Sequence, residues 1–170
     1  MILVGIGANL PGPRGEPPIE TCRRAVVALD AVAGLRLRGL SRWYMTAPVP
    51  ASSQPSYVNA IALLRAARGV AEPDPAVLLA TLQAMEADAG RVRGERNAAR
   101  VLDLDIIAMG EGGQMVRSAP DPVLPHPRAH ERAFVLVPLR DVAPDWRHPL
   151  RGVSLQALID ALPVQDIRAL

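Results

Sequence analysis

The segment VLDLDIIA, residues 101–108, constrains the fold more than any other. Apolar and acidic residues alternate through its first half. As a strand it points Leu102, Leu104 and Ile106 to one face and Asp103 and Asp105 to the other. Such a strand needs a core under one face and water, a cation or a ligand against the other. The two carboxylates stand roughly 6–7 Å apart along the backbone. Like charges at that spacing repel, and Asp is a poor strand former. Arg91, Arg93, Arg96 and Arg100 precede the pair in the stretch RVRGERNAAR.

The rest of the chain supplies elements of the right kind to build a half-covered sheet. Residues 2–6 form an apolar run that reads as a buried strand, followed by the Gly/Pro loop GANLPGPRGEPP. A helix is expected after Pro18, burying Ile19, Cys22, Val26, Leu29 and Ala33 and ending at Gly34. Residues 35–46 read as one long strand and residues 57–64 as the next. Asp74-Pro75 reads as an N-cap with a first-turn proline. Leu78, Leu82, Met85 and Ala89 then repeat at helical spacing up to Gly90. After the acidic strand, residues 110–132 read as mostly irregular, with a short strand expected at 114–117. Residues 134–142 fit either a helix or an apolar extended segment. Ser154 caps a last amphipathic helix with Leu155, Leu158, Ile159 and Leu162.

The order strand, helix, strand, strand, helix, strand is that of an α+β, ferredoxin-like (βαββαβ) antiparallel sheet with helices on one face, here with a C-terminal extension. The extension is expected to cover part of the second face. No internal repeat or linker divides the chain, so residues 1–170 are expected to form one domain, and the length suits one core.

Composition excludes several functions. The net charge is only +2 and all 19 basic residues are arginine, too small an excess for a nucleic-acid binder. Any phosphate contact from a basic side chain must use the planar, bidentate guanidinium. Cys22 is the only cysteine, so no internal disulfide forms. The N-terminus lacks the basic region of a signal peptide, and no apolar run spans a bilayer. A cytoplasmic location, away from membranes, is the expectation.

Two hard carboxylates at i, i+2 can hold Mg²⁺, which keeps waters and completes its shell with phosphates. An isolated D-x-D is more often a solvated strand face, and a charged loop is more often plain surface. Together they make a cation–anion arrangement suited to phosphoryl transfer, whose catalysis is mostly positioning and charge neutralisation. In YVNA, Tyr57 and Asn59 share a strand face and suit either stacking on a flat heterocycle and reading its edge, or ordinary cross-strand packing. GIGANL lacks the third glycine of a dinucleotide loop and reads instead as a tight strand exit, a place where a ligand could approach the backbone. His126 and His130 have zinc-like i, i+4 spacing, but Pro127 intervenes and no third ligand is evident.

These segments resemble, in order, the 6-hydroxymethyl-7,8-dihydropterin pyrophosphokinases of folate biosynthesis. The stretch RNAARVLDLDII is similar to that family's signature, and the similarity extends over VGIGANL, YMTAPV, QPSYVNAIALL, LQAMEADAGRVRGER, LPHPRAHERAFVLVPL and VAPDW. The resemblance implies transfer of pyrophosphate from ATP to the pterin hydroxymethyl group, with release of AMP. It implies Asp103 and Asp105 as magnesium ligands and Arg91, Arg93, Arg96 and Arg100 as residues of a mobile catalytic loop. Tyr57 and Phe134 would sandwich the pterin, Asn59 would read its edge, and Thr46 and Val49 would lend backbone contacts. Gln83, Glu86, His126 and Arg132 match positions near the nucleotide. The partners implied are ATP and the pterin alcohol, and a monomer is expected. Three departures stand out: Asn97 where some members have Trp, Ala8 for a common Ser, and poor similarity over residues 111–122.

Two other functions compete. A metal-dependent nucleotidyltransferase shares the strand order but wants a third carboxylate and a basic groove. A non-catalytic ferredoxin-like binding domain would tolerate loss of Asp103 and Asp105.

Overall fold

The computed structural model describes residues 1–91 and 98–170. Its centre is β4 (Tyr57–Ala66), whose residues 58–62 are all buried because both faces of the strand are covered. β1 (Ile2–Ala8) pairs antiparallel with one edge of β4, and β5 (Asp103–Ala108) pairs antiparallel with β1. On the other edge of β4 lie β2 (Leu35–Leu40) and β3 (Tyr44–Thr46), each antiparallel to it. The expected single strand over residues 35–46 is therefore two strands in line. The break has a local cause. The Ser41 hydroxyl accepts the Ile61 N–H at 2.9 Å, and Asp141 binds the backbone N–H and the guanidinium of Arg42. Side-chain bonds at Ser41 and Arg42 interrupt the ladder, although Ser41 N still donates to the Ile61 carbonyl.

Helix α1 (Pro18–Asp30) and helix α2 (Pro75–Asp88) cover one face. Cys22, Ala25, Val26 and Leu29 of α1 and Leu78 and Leu82 of α2 pack on Ile2, Val4, Ile6, Leu102, Leu104 and Ile106. Asp74 caps α2, accepting from Ala76 N at 2.8 Å, and Gly90 follows with φ +93°. α1 stops four residues before Gly34, which leaves Ala33 exposed instead of buried.

Helix α3 (Ala133–Val142) and helix α4 (Leu155–Asp160) lie on the opposite face. Val135, Leu136, Leu139, Leu155 and Leu158 bury Leu3, Ile61 and Ile107 there. The extension thus supplies the cover expected of it. Residues 134–142 are helical despite Pro138 within α3. Residues 114–117 form no strand; Arg117 only bridges Leu124. An unanticipated strand, β6 (Ile167–Ala169), pairs with β3 at the sheet edge. The result is an α+β ferredoxin-like sheet, extended by β3 and β6.

Burial separates Leu29 and Val27 of α1 sharply. Leu29 is fully buried whereas Val27 is 72% exposed. Leu29→Ala is expected to lower the unfolding free energy by about 2–5 kcal/mol, and Val27→Ala to change it by no more than about 0.5 kcal/mol. Urea denaturation followed by circular dichroism measures both.

Candidate active site

Helices α3 and α4 cover only part of their face. Beyond Leu3, Ile61 and Ile107 the sheet turns polar, and a cleft of about 330 Å³ opens over it. Strand register sets the floor. Asp105 lies opposite Gly5, which lies opposite Ile61; Asp103 lies opposite Gly7, which lies opposite Asn59. Bare backbone therefore sits in the middle of each row. A Cβ on Gly7 would stand only 3.0 Å from Asn59 Oδ1, so a side chain there would crowd the floor between the carboxylates and the amide. This is the use of the glycine run GIGAN, read in the sequence as a strand exit where a ligand could approach.

The walls come from four places. Tyr57 begins β4, and Phe134 stands in the first turn of α3. Thr46, Val49 and neighbouring residues of the loop after β3 form a third side, with Gln54. Arg100 and Arg132 complete the lining together with Asp103 and Asp105. Arg132 also lies over the Phe134 ring, 5.3 Å from its centre. Asn59 is buried, and its amide is oriented by donating to Thr46 Oγ1 at 2.8 Å, which leaves Oδ1 toward Gly7.

Charge is arranged unevenly over the two aspartates. Asp103 Oδ1 accepts from Arg91 at 2.8 Å and also binds Arg100. Among the described residues, Asp105 Oδ2 has Arg132 at 3.8 Å and His126 at 3.9 Å as its ionic partners. Its side chain keeps 40% of its surface exposed. Burial, reinforced by the Asp103 charge, pushes its pKa up to about 6 against the pull of the arginines. Burial, reinforced by Arg132, holds His126 down at about 4, so this ring is neutral near pH 7. Arg100 is held above its ordinary value: burial opposes the charge, but the carboxylate of Asp103 outweighs it. Arg132 is lowered, because burial outweighs the attraction of Asp105. Tyr57 is raised by burial.

Glu86 has a different position from the rest. It is buried under β5, where Oε1 accepts the Leu104 N–H at 2.7 Å and pairs with Arg91. Burial raises its pKa. It joins α2 to β5 and holds the arginine that reaches Asp103. Gln83 is exposed on α2 and does not line the cleft. Arg93 and Arg96 lie outside the described residues, as does Asn97. His126 and His130 do not share a helix: the first accepts from Arg128 N at 3.1 Å, the second sits edge-on to His148. Among the described residues no cluster of three metal-ligating side chains exists. The lining residues given no role from the sequence are Ala47, Pro48, Pro50, Ser52 and Gln54, with Asn9 behind the cleft. The QPSYVNAIALL resemblance contained Gln54, and only its chain register with Tyr57 could have marked it.

Comparison with known proteins agrees with this geometry. The family model for 7,8-dihydro-6-hydroxymethylpterin-pyrophosphokinase matches residues 3–144. A 2-amino-4-hydroxy-6-hydroxymethyldihydropteridine pyrophosphokinase of Pseudomonas aeruginosa is 37% identical over 169 residues, covering 99% of this chain and 96% of that protein. One of the same name from Synechocystis is 35% identical over 158 residues, covering 93% of this chain and 74% of that protein. Among solved structures, the Plasmodium falciparum HPPK-DHPS shares the fold, with a TM-score of 0.64 at 11% identity. The match covers 94% of this chain and 40% of that longer one. Among the described residues no helix is long and apolar enough to cross a membrane.

Removing Arg91 would strand the Glu86 carboxylate, which is only 8% exposed. Arg91→Ala is expected to lower the unfolding free energy by about 3 kcal/mol, the usual result of breaking one side of a buried pair. Thermal and urea unfolding of the apoprotein measure this without any substrate.

Proposed function

Since the chain belongs to the 7,8-dihydro-6-hydroxymethylpterin-pyrophosphokinase family, we propose that its cleft carries out that reaction with Mg²⁺ held by Asp103 and Asp105. Pyrophosphate passes from ATP to the hydroxymethyl group of 6-hydroxymethyl-7,8-dihydropterin, a step of folate biosynthesis. The pterin hydroxyl oxygen forms a bond to the β-phosphorus, the bond from that phosphorus to the α,β-bridging oxygen breaks, and AMP leaves. The hydroxyl proton is lost to the surroundings, and a loose transition state needs little help from a base.

One observation carries the reading. Asp103 and an oriented amide face each other across bare Gly7, with Asp105 beside Asp103 on the same strand face, in a cleft walled by aromatic rings and arginines. The pair fits magnesium chemically: two hard oxygen ligands stand on one strand face, and among the described residues no cation lies closer to Asp105 than Arg132 at 3.8 Å. Two protein ligands suffice because phosphate oxygens and waters complete the shell. The metal would offset phosphate charge and align the reacting groups.

The chain's own residues take the other roles. Tyr57 and Phe134 hold the flat pterin between them, and Asn59 Oδ1 accepts from its edge. Thr46 fixes that amide, and the backbone near Thr46 and Val49 closes the pocket side. Arg100 and Arg132 meet phosphate oxygens, where planar guanidinium groups bind in bidentate fashion. Arg91 holds the charge balance at Asp103. Arg93 and Arg96 are assigned to phosphate contacts by the motif alone. His126, as a neutral ring, is suited to the nucleotide side. Gln83 and Glu86 support that side from α2, Glu86 through Arg91. Residues 1–170 act as one pyrophosphokinase domain, as a monomer in the cytoplasm. Holding the hydroxyl in line supplies a large part of the rate, on the order of 7–11 kcal/mol at best.

With the pterin alcohol, ATP and Mg²⁺, the protein is expected to release AMP only when the alcohol is present. Chelation should abolish release, and added Mg²⁺ should restore it. Asp103→Ala and Asp105→Ala should each lower kcat by about 10²-fold or more. Release of pyrophosphate, or equal turnover by these variants, would refute the assignment. Tyr57→Ala should chiefly raise the KM for the pterin, by about tenfold, equivalent to loss of roughly 1 kcal/mol of stacking and some buried area; steady-state kinetics reads it.

A further inference from the structure

Asn9 follows β1 and is 2% exposed, yet it is not part of the cleft lining. Its side chain is fully engaged, and every bond goes to a distant segment. Oδ1 accepts the Arg100 N–H at 2.7 Å. Nδ2 donates to Gln54 Oε1 at 3.2 Å and to the Pro55 carbonyl at 3.1 Å. Its backbone N–H and that of Leu10 both donate to the Arg100 carbonyl, at 2.9 and 3.1 Å. One amide therefore joins the residue whose guanidinium binds Asp103 to the loop that walls the aromatic end of the cleft.

We propose that Asn9 is a positioning residue that sets the two halves of the cleft at a fixed separation, its oxygen holding the arginine half and its nitrogen the pterin half. The inference rests on the reading of the cleft given above. An amide is the only neutral side chain, besides that of Gln, that accepts on one atom and donates twice on the other. Glutamine would place that group one carbon further out. A second link runs in parallel: Tyr57 Oη donates to Gln54 Oε1 at 3.2 Å and lies 3.5 Å from the Ala98 carbonyl. Gln54 thus receives both Asn9 and the ring that stacks on the substrate. The distance between hydroxyl and β-phosphorus at attack depends on this spacing, and small errors in it are costly.

The two atoms of the amide can be tested separately. Asn9→Asp keeps the oxygen facing Arg100 N but replaces the donor with an acceptor against Gln54 Oε1 and Pro55 O. It is expected to raise the KM for the pterin alcohol about tenfold, with the KM for ATP and kcat within about threefold of wild type. Asn9→Ala removes both links and is expected to raise the same KM and also lower kcat at least tenfold. A purely structural Asn would lower the amount of folded protein and leave both constants per folded molecule unchanged in each variant, which overturns the proposal. Equal shifts in the two KM values would overturn it as well. Should the variants not fold, hydrogen exchange of wild type decides. Binding the pterin alcohol should slow exchange at the Arg100 amide at least fivefold, and no slowing overturns the inference. A wild type that yields no AMP would refute the reading of the cleft, whereas an active wild type with unaffected Asn9 variants refutes only the role of Asn9.

Discussion

Two carboxylates on one strand face must be neutralised, and much of this structure is arranged around that requirement. Asp103 is satisfied within the protein, by Arg91 and Arg100. Asp105 is held less tightly: among the described residues its nearest cation, Arg132, stands 3.8 Å away, and burial raises its pKa to about 6. The two carboxylates thus share one strand face with unequal charge partners, Asp103 tied to arginines and Asp105 facing the cleft. Glu86 extends the same logic inward. It fixes Arg91 from α2 and takes the Leu104 N–H, so the charge balance at Asp103 is tied to the hydrophobic face of the same strand.

Sheet packing then decides where that charge can meet a substrate. β1, β4 and β5 are buried under α1 and α2 on one face. The other face is divided: apolar residues at one end lie under α3 and α4, and Gly7, Asn59, Asp103 and Asp105 lie open at the other. The C-terminal tail has a part in this as well. Gln165 accepts the Ala133 N–H at 3.0 Å, at the N-terminus of α3, one residue before Phe134. The tail thereby helps to hold an aromatic wall of the cleft.

Features with a local signal were legible in the sequence. The D-L-D alternation placed both aspartates on one face, the Asp74-Pro75 and Ser154 caps located two helices, and the periodicity of α1 found Cys22, Val26 and Leu29. Features set by tertiary contact were not. The break between β2 and β3 depends on the Ser41 hydroxyl meeting Ile61, and Pro138 made α3 ambiguous until its apolar face met the sheet. β6 has only three residues, and partners some 120 positions earlier stabilise it. In the site, the motif brought Tyr57, Asn59, Phe134, Arg100, Arg132 and the two aspartates to one cleft. It placed Gln83 near the nucleotide, but that side chain lies exposed outside the cleft lining. The segment VGIGANL contained Gly7 and Asn9, but the bare floor and the support behind it become visible only when strands are in register.

Metal binding tests the central claim most directly. The protein, loaded with a non-hydrolysable ATP analogue and titrated with Mn²⁺ in place of Mg²⁺, should hold the ion in an electron paramagnetic resonance experiment. The Asp103→Asn/Asp105→Asn double variant should bind the analogue but lose the protein-dependent part of the Mn²⁺ affinity. Unchanged Mn²⁺ affinity in a folded double variant would contradict the account, because the carboxylate pair would then have no part in holding the metal.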